Sequence, residues 1–488
     1  MEDNKGKKIV LPEGHPKLVT RRDFLGHGLI SGVGMAMAPS VLGMALAARA
    51  RADVACPPLA ASPNVPFLLI DCSGGMAMIH ETVALTSGDQ PLNAGGYGSL
   101  GTNGDPTGLL DNSIGIRYIQ GLPFSQEFAA MPANVKAKVN STIIAVQSGD
   151  DQSNNPFNPG TTMGRCGANG IIAKVVGTQG SPSGGNSVSL FADAAFTSVR
   201  VSSPNDAGAL ISLGQLRTRL NNDNNLVSRV LRGIASMTDS QVRNYSAQSL
   251  PKQVQDLVYC GYKGGAELGG GAASPNPTGN SIVDGAVTAG AFNLGDNEEA
   301  RVATLVHLLL SGYAGFATAE LGGFDYHNNN RNAGTTRNRK TALVIRKALE
   351  AAARAGKPLM IGLISDGSVS SNGTVDAGSQ PNSGGVSFFG WASDRGEAGA
   401  VSLFAYDPVN RPVVSKPQVG VLNADNGGVL NNYATFSGNP GGACELLVAN
   451  WLSFNRRAPD EYVAKLPAGR TPILNGTDLG KGVVFARG

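Results

Sequence analysis

The sequence predicts a protein of the α/β class, in which helices cover a mostly parallel sheet. Short apolar segments with the composition of buried strands alternate with segments whose apolar residues recur at helical spacing. The connections between them are short, and Gly, Asp or Ser residues follow the strands closely. Alternation of this kind is typical of parallel strands joined by covering helices.

The individual elements are predicted from β-branched apolar runs and from apolar residues three and four positions apart. Strands are expected at residues 66–70, 141–146, 316–321, 359–364 and 400–406. Helices are expected at residues 125–139, 167–176, 298–313 and 341–355. Ligands bind beyond the carboxyl ends of parallel strands, so the residues that follow each strand are the first candidates for a site.

Composition predicts one large domain with insertions. The chain has 488 residues, 66 of them Gly, and this length exceeds what a single core usually supports. Residues 207–262 have helical spacing and are predicted to form a helical insertion. The Gly, Ala, Ser and Pro residues after them predict a flexible linker at about 263–290. Many Gly, Asn and Ser residues elsewhere predict long irregular loops.

The N-terminus has the pattern of a twin-arginine export signal. The sequence TRRDFL at residues 20–25 precedes a weakly hydrophobic stretch at 29–48, and small residues favour cleavage after position 52. Residues 1–52 are therefore predicted to be a signal peptide, with 53–488 as the mature chain. A lipid anchor on Cys56 is the alternative. The twin-arginine translocase is an expected partner, and the mature protein is expected in the periplasm or at the cell surface.

Charge and cysteine content exclude several classes of protein. Residues 1–52 hold eight of the 39 Lys and Arg and four of the 36 Asp and Glu, so the mature chain is close to neutral. A neutral chain lacks the basic surface expected of a nucleic-acid-binding protein, and no long apolar segment remains for a membrane span. The five cysteines have no CxxC spacing, which argues against a zinc ribbon. In an oxidising periplasm, one or two disulfides are expected, with one thiol left over.

Carboxylates follow three of the predicted strands. Asp71, Asp325 and Asp366 each stand just beyond a strand end, so a parallel sheet would bring them to one edge. His327 lies two residues after Asp325, and imidazole with carboxylate is a ligand set for Zn²⁺ or Mn²⁺. A simple polar turn is the alternative for this segment, because Asp and Asn favour turns. Asp394 precedes its strand and is not placed by this reasoning.

Four short motifs, in order, carry a resemblance to a known family. They are SGG at 73–75, GGFDYH at 322–327, SDG at 365–367 and SDRG at 393–396. On these motifs the chain resembles the domain-of-unknown-function 1501 (DUF1501) family of twin-arginine-exported proteins, which is related to alkaline phosphatases and sulfatases. The resemblance covers most of the mature chain. It implies an alkaline-phosphatase-like three-layer α/β/α sandwich around the mostly parallel sheet.

The resemblance also implies where a metal would bind. One divalent ion, Zn, Mn, Mg or Ca, would be held by Asp71, Asp325, His327 and Asp366. His80 and Asp394 are weaker candidates for the same site. Because they follow strand ends, Asp71, Asp325, His327 and Asp366 are expected at the carboxyl edge of the sheet.

Departures from the family pattern favour a loss of activity. Arg395 stands where the family has a histidine, and a guanidinium cannot bind a metal. It is expected to pair with Asp325 or Asp366 and to occupy part of the metal's space as a fixed charge. Cys72 and Ser73 are weak candidates for a nucleophile, since Cys72 lacks the sulfatase motif and no base is assigned to Ser73 by spacing.

Two functions therefore remain open from the sequence. The first is a degenerate, non-catalytic family member with a binding or structural role, and an envelope protein is then a possible partner. The second is a metal-dependent hydrolase of a phosphate or sulfate ester. The few histidines and the replacement at position 395 favour the first.

Overall fold

In the part of the chain that the structure describes, eight strands form the central sheet, and seven of them run in the same direction. The computed structural model describes residues 63–148, 158–178, 199–210, 229, 275–324, 331–365, 367–376, 386–466 and 469–488. Apart from residue 229, all of these belong to one compact unit. The predicted signal peptide, Cys56 and most of the predicted helical insertion lie outside the described residues.

The described strands are β1 Phe67–Cys72, β2 Thr102–Asn103, β3 Leu110–Asp111, β4 Tyr118–Ile119, β5 Val139–Val146, β6 Ala173–Gly177, β7 Val199–Arg200, β8 Ala314–Leu321, β9 Leu359–Ser365, β10 Val369–Val375, β11 Ser387–Asp394, β12 Gly399–Tyr406, β13 Val413–Val414, β14 Gln418–Val419 and β15 Phe485–Ala486. The described helices are α1 Ala94–Ser99, α2 Pro123–Ala129, α3 Ala133–Lys136, α4 Gly160–Arg165, α5 Pro204–Ala209, α6 Asn297–Leu310, α7 Arg331–Ala355, α8 Pro440–Phe454 and α9 Gly476–Gly482. Among these residues, no helix is both long and apolar enough to cross a membrane.

The strand order confirms a mixed α/β fold with a large, mostly parallel sheet. The order is β14-β5-β12-β9-β1-β8-β6-β7. Strand β12 is antiparallel to its neighbours, β5 and β9, and the other described strands of this sheet run parallel to one another. Consequently the start of β12 lies at the edge where the other strands end, which places the segment before it at the carboxyl edge.

Helices cover the sheet on both faces. On one face, α8 packs against alternate strand residues such as Phe67, Leu69 and Leu403 in one continuous apolar cluster. Helices α6 and α7 contact each other and pack on the strand residues that point the other way. The apolar stripe of α6 is fully buried, and Asp296 caps its first turn by accepting from the N–H groups of Glu298 and Glu299.

Three sequence predictions need correction. The helix expected at 167–176 is instead a turn followed by β6, because Gly170 packs against the backbone of Tyr313 and the valines after it pair with β8. The helix expected at 125–139 is two short helices, α2 and α3. Helix α7 covers Arg331–Ala355, ten residues more at its start than the predicted range.

Two further segments complete the unit. A small sheet of order β10-β11-β2 follows β9, and its backbone pairing joins Val369 to Asp394. Of the predicted linker, residues 275–290 form hydrogen-bonded turns around Asp284, which accepts from the N–H groups of Gly279 and Ala286. The remainder of that range, 263–274, lies outside the described residues.

Candidate functional site

The carboxyl edge of the sheet gathers the segments that carry the sequence motifs. Cys72, the last residue of β1, pairs with Leu321 of β8 on one side and with Ser365 of β9 on the other. Gly399, the first residue of β12, pairs with Val146 at the end of β5. The segment containing Asp394 and Arg395 therefore reaches the same edge through the antiparallel direction of β12.

The turn after β1 is tied to β9 by a serine. Ser365 Oγ donates to the carbonyl oxygen of Gly74 and accepts from the N–H of Met76, both over 2.8 Å. Gly74 has φ +102°, a conformation that favours glycine. A Cβ on Gly75 would lie 2.9 Å from the carbonyl oxygen of Ser368, so this turn touches the backbone after β9. These contacts explain the Ser-Gly-Gly sequence by close packing.

Ser73 meets a carboxylate that sequence reasoning did not single out. Its Oγ donates to Glu320 Oε1 over 3.0 Å, and both residues are half-buried. Glu320 is the penultimate residue of β8 and pairs in register with Asp71. The sequence does mark Glu320 as unusual, because this charged residue interrupts an apolar strand near its end. That Ser73 is the partner of Glu320 follows only from the pairing of β1 with β8.

Asp71 lies within β1, one position before the strand ends. It is 2% exposed, and the alternation of the strand places it on the face that Phe67 and Leu69 share with α8. Its charge acts on Cys444 of α8, whose thiol pKa is raised well above its ordinary value by burial first and by Asp71 second. Asp71 was predicted just beyond the strand, but it lies inside β1, because Cys72 after it still pairs with Leu321 and Ser365.

Cys72 points to the opposite face and is fully buried. A nucleophile must be reached by its substrate, so this geometry gives no support to Cys72 in that role. Cys166 and Cys444 are also buried and are free thiols. Burial raises the pKa of Cys166 to about 12, which keeps it in the unreactive thiol form.

His80 is held as a structural residue. Its Nε2 is 2.7 Å from the carbonyl oxygen of Val369, and its Nδ1 is 3.4 Å from Ser368 Oγ. Its ring also meets Trp391 edge-on at 5.1 Å. Burial, with smaller contributions from the cations Arg395 and Arg331, lowers the pKa of His80 to about 3, so the ring is neutral. Both nitrogens face protein partners, which leaves neither turned toward a metal.

Arg395 joins three segments at the edge. Its Nη2 donates to the carbonyl oxygen of Asn426 over 2.7 Å, its Nη1 is 3.4 Å from that of Ser99, and its Nε is 3.4 Å from Glu397 Oε2. Its backbone N–H donates to the carbonyl oxygen of Ser368 over 2.8 Å. The residues predicted to pair with it are outside the described part of the chain, and the guanidinium turns to these loops.

The central motif is described only at its start. Phe324 is fully buried, its ring lies 5.1 Å from Arg337 Cζ, and Arg337 forms two hydrogen bonds with Glu298 at 2.8 and 3.0 Å. Asp325, His327 and Asp366 lie outside the described residues, as does the side chain of Asp394. The described part of the motif is therefore anchored to α6 and α7.

The described carboxylates at the edge do not form a cluster of metal ligands. Within the described ranges, no three His, Cys, Asp or Glu side chains are grouped so that they could hold a metal ion. Asp71 and Glu320 are the described carboxylates that pair at the edge, and Glu320 already accepts from Ser73. Of the predicted ligands Asp71, Asp325, His327 and Asp366, the described residues include Asp71 alone.

Fold and edge together define a mixed α/β protein with a polar site where β1, β8 and β9 end. A comparison of the sequence with protein-family models gave no match, and comparisons with curated proteins and with solved structures also gave none.

Proposed function

We propose that this protein is a divergent DUF1501-family member, exported by the twin-arginine translocase, that acts as a binding or structural protein in the periplasm or at the cell surface. In this proposal an alkaline-phosphatase-like fold is retained and metal-dependent hydrolysis is lost. The mostly parallel sheet and the convergence of the motif segments at one edge support the fold assignment.

The observation that carries the proposal is the position of Arg395. Where the family pattern has an imidazole, this guanidinium is committed to the carbonyl oxygens of Asn426 and Ser99 and to Glu397. A fixed cation at the strand ends disfavours a second cation nearby. The imidazole of His80, which lies near Arg395, is neutral and hydrogen-bonded to the carbonyl oxygen of Val369. The edge is thus cross-linked by its own side chains in a manner suited to a rigid binding surface.

Metal content and hydrolysis test the proposal together. The mature protein is purified from the periplasm, its Zn, Mn, Mg and Ca are measured, and hydrolysis of 4-nitrophenyl phosphate and 4-nitrophenyl sulfate is assayed. We expect metal well below one ion per chain and no hydrolysis above buffer. One ion per chain that disappears in the Asp325→Ala/His327→Ala double variant, together with ester hydrolysis, would overturn the proposal in favour of the hydrolase.

Export is tested separately. Replacing Arg21 and Arg22 by Lys is expected to hold the chain in the cytoplasm, because the translocase reads the arginine pair. Cell fractionation and immunoblotting measure the distribution, with Lys17→Arg as the matched control. Unchanged export of the double variant would contradict the twin-arginine route and leave the metal result unaffected.

A further inference from the structure

We propose that Ser73 and Glu320 form a metal-independent nucleophile and general base that act on a neutral carboxylic ester. The inference goes beyond the proposed binding role, because it adds a covalent reaction at the same edge. Ser73 Oγ already donates to Glu320 Oε1 over 3.0 Å, within the range that proton transfer requires. Both residues are half-buried, so their side chains are held by the protein and remain accessible.

The backbone fixes both members of the pair. The N–H of Ser73 donates to the carbonyl oxygen of Leu321 over 2.9 Å, and the carbonyl oxygen of Ser73 accepts from Phe324 N–H over 3.2 Å. Glu320 N–H donates to Thr178 Oγ1 over 3.1 Å, and Arg301 Nη1 donates to the Glu320 carbonyl oxygen over 3.2 Å. Hydroxyl and carboxylate are therefore positioned by interlocked strand ends, and preorganisation of this kind favours reaction.

The turn geometry also suits a nucleophile. Ser73 stands between β1 and the left-handed Gly74, so the chain bends sharply directly after the serine. Ser365 holds that bend by bonding Gly74 and Met76. The bend keeps Ser73 Oγ at the strand end, beside the edge where ligands of parallel sheets bind.

Electrostatics select the substrate class. Asp71 and Glu320 place two carboxyl groups on paired positions of adjacent strands. The nearby Arg301 donates its Nη1 hydrogen bond to the backbone carbonyl oxygen of Glu320. A phosphate or sulfate monoester carries negative charge and is repelled by ionised carboxylates. An uncharged carboxylic ester is not, so the pair fits acyl transfer better than phosphoryl or sulfuryl transfer.

The reaction balances with water as the only co-substrate. Ser73 Oγ forms a bond to the acyl carbon while its proton passes to Glu320, and the resulting tetrahedral adduct collapses with release of the alcohol, which takes that proton. Water then attacks the acyl-serine and gives its proton to Glu320. Loss of the acid returns the proton to Ser73 Oγ, so neither an oxidant nor a metal takes part.

The test uses the purified mature protein in buffer with EDTA. Hydrolysis of 4-nitrophenyl acetate is followed across pH, and a fluorophosphonate probe labels reactive serines for peptide mass spectrometry. We expect labelling at Ser73, loss of both signals in Ser73→Ala, and a fall of about 100-fold in kcat/KM for Glu320→Gln, which keeps an acceptor but cannot act as a base.

Matched controls and folding checks keep the outcome decisive. Ser370→Ala and Glu461→Gln change the same residue types away from the pair and are expected to leave both signals unchanged. Each variant is compared by circular dichroism and melting temperature. Folded wild-type protein without labelling at Ser73, or a folded Glu320→Gln variant with wild-type kcat/KM, would overturn the inference. Metal content decides the proposed function independently, because the esterase assay is run without available metal.

Discussion

The guanidinium of Arg331 lies over the ring of Trp391, with its Cζ 4.3 Å from the ring centroid. It also lies 4.7 Å from the ring of Phe388, and its Nη1 donates to the carbonyl oxygens of Gly101 and Phe389 at 2.7 and 2.6 Å. Arg331 is 2% exposed. One buried cation at the first turn of α7 thus holds β11 and the segment before β2 together beside the carboxyl edge.

Replacing Arg331 by Met is expected to lower the free energy of unfolding by about 3 kcal/mol. Met keeps the apolar length, so the loss reports the cation–π contacts and the two charged hydrogen bonds to the carbonyl oxygens of Gly101 and Phe389. Chemical denaturation measures the change, and a red shift of Trp391 fluorescence would report loosening of the small sheet. Arg339→Met is the control, because Arg339 is exposed and bonds the side chain of Gln126 at the surface. Equal stability of both variants would contradict this role.

Arg331 also illustrates what the sequence could and could not predict. The apolar stripe of α6 and the short apolar segments of β8 and β9 are local signals, so these elements were predicted nearly to their ends. The first ten residues of α7 are mostly polar and have no apolar stripe to predict a helix. Tertiary contacts of buried Arg331 and Asn338 stabilise them instead.

The site residues also divide into those that a local sequence signal predicts and those that depend on tertiary contacts. The position of Asp71 at the end of β1 follows from a local strand signal, and the structure places it at the carboxyl edge. The antiparallel direction of β12 and the pairing of Ser73 with Glu320 depend on which strands become neighbours. Strand order is set by long-range packing, so the periodicity within one segment cannot predict which strands become neighbours.

Glu81 and His80 are predicted to give opposite pH dependences of stability. Burial raises the pKa of Glu81 to about 7 from 4.5, against the hydrogen bonds from Phe124 N–H and Asn338. Folded Glu81 therefore binds a proton that the unfolded chain has lost, and its contribution to stability falls as pH rises from 4.5 to 7. His80 behaves oppositely: its folded pKa is about 3, so stability is lost as pH falls below 6.5.

The two effects should nearly cancel in the wild-type protein between pH 4.5 and 6.5. Glu81→Gln leaves the His80 effect alone, so its free energy of unfolding should fall by about 1.4 kcal/mol per unit of acidification. His80→Gln should show a slope shifted in the opposite direction, and the double variant should lack both contributions. Urea unfolding at several pH values measures this. Parallel curves for wild type and Glu81→Gln would show that Glu81 does not titrate differently on folding. The cations Arg331 and Arg339 lower the pKa of Glu81. Burial first and the charge of Glu81 second raise the pKa of Tyr118.

Arg395→Ala is expected to destabilise the protein by about 1–2 kcal/mol, because the carbonyl oxygen of Asn426 loses a charged donor. Arg395→Lys should recover only part of this, since an ammonium cannot reproduce the planar fork that reaches Asn426 and Ser99 together. Differential scanning calorimetry measures both. A melting temperature unchanged in Arg395→Ala would remove the structural role on which the proposed loss of the metal centre depends.

Gly75→Ala is expected to destabilise the turn after β1 by about 1–3 kcal/mol. The added Cβ would lie 2.9 Å from the carbonyl oxygen of Ser368, and a backbone atom cannot move aside as a flexible side chain does. That oxygen accepts from Arg395 N–H, so the displacement should pass to the segment before β12. Gly108→Ala is the control, because nothing lies within 4 Å of its added Cβ. Thermal unfolding compares the two variants. Equal melting temperatures would show that the turn can accommodate the added Cβ, which would contradict the expectation from the 2.9 Å distance.

The same pair of variants also tests the position of Ser73. If the turn moves as expected, fluorophosphonate labelling of Ser73 should fall in Gly75→Ala and stay unchanged in Gly108→Ala, because Ser73 and Gly75 share one tightly packed bend.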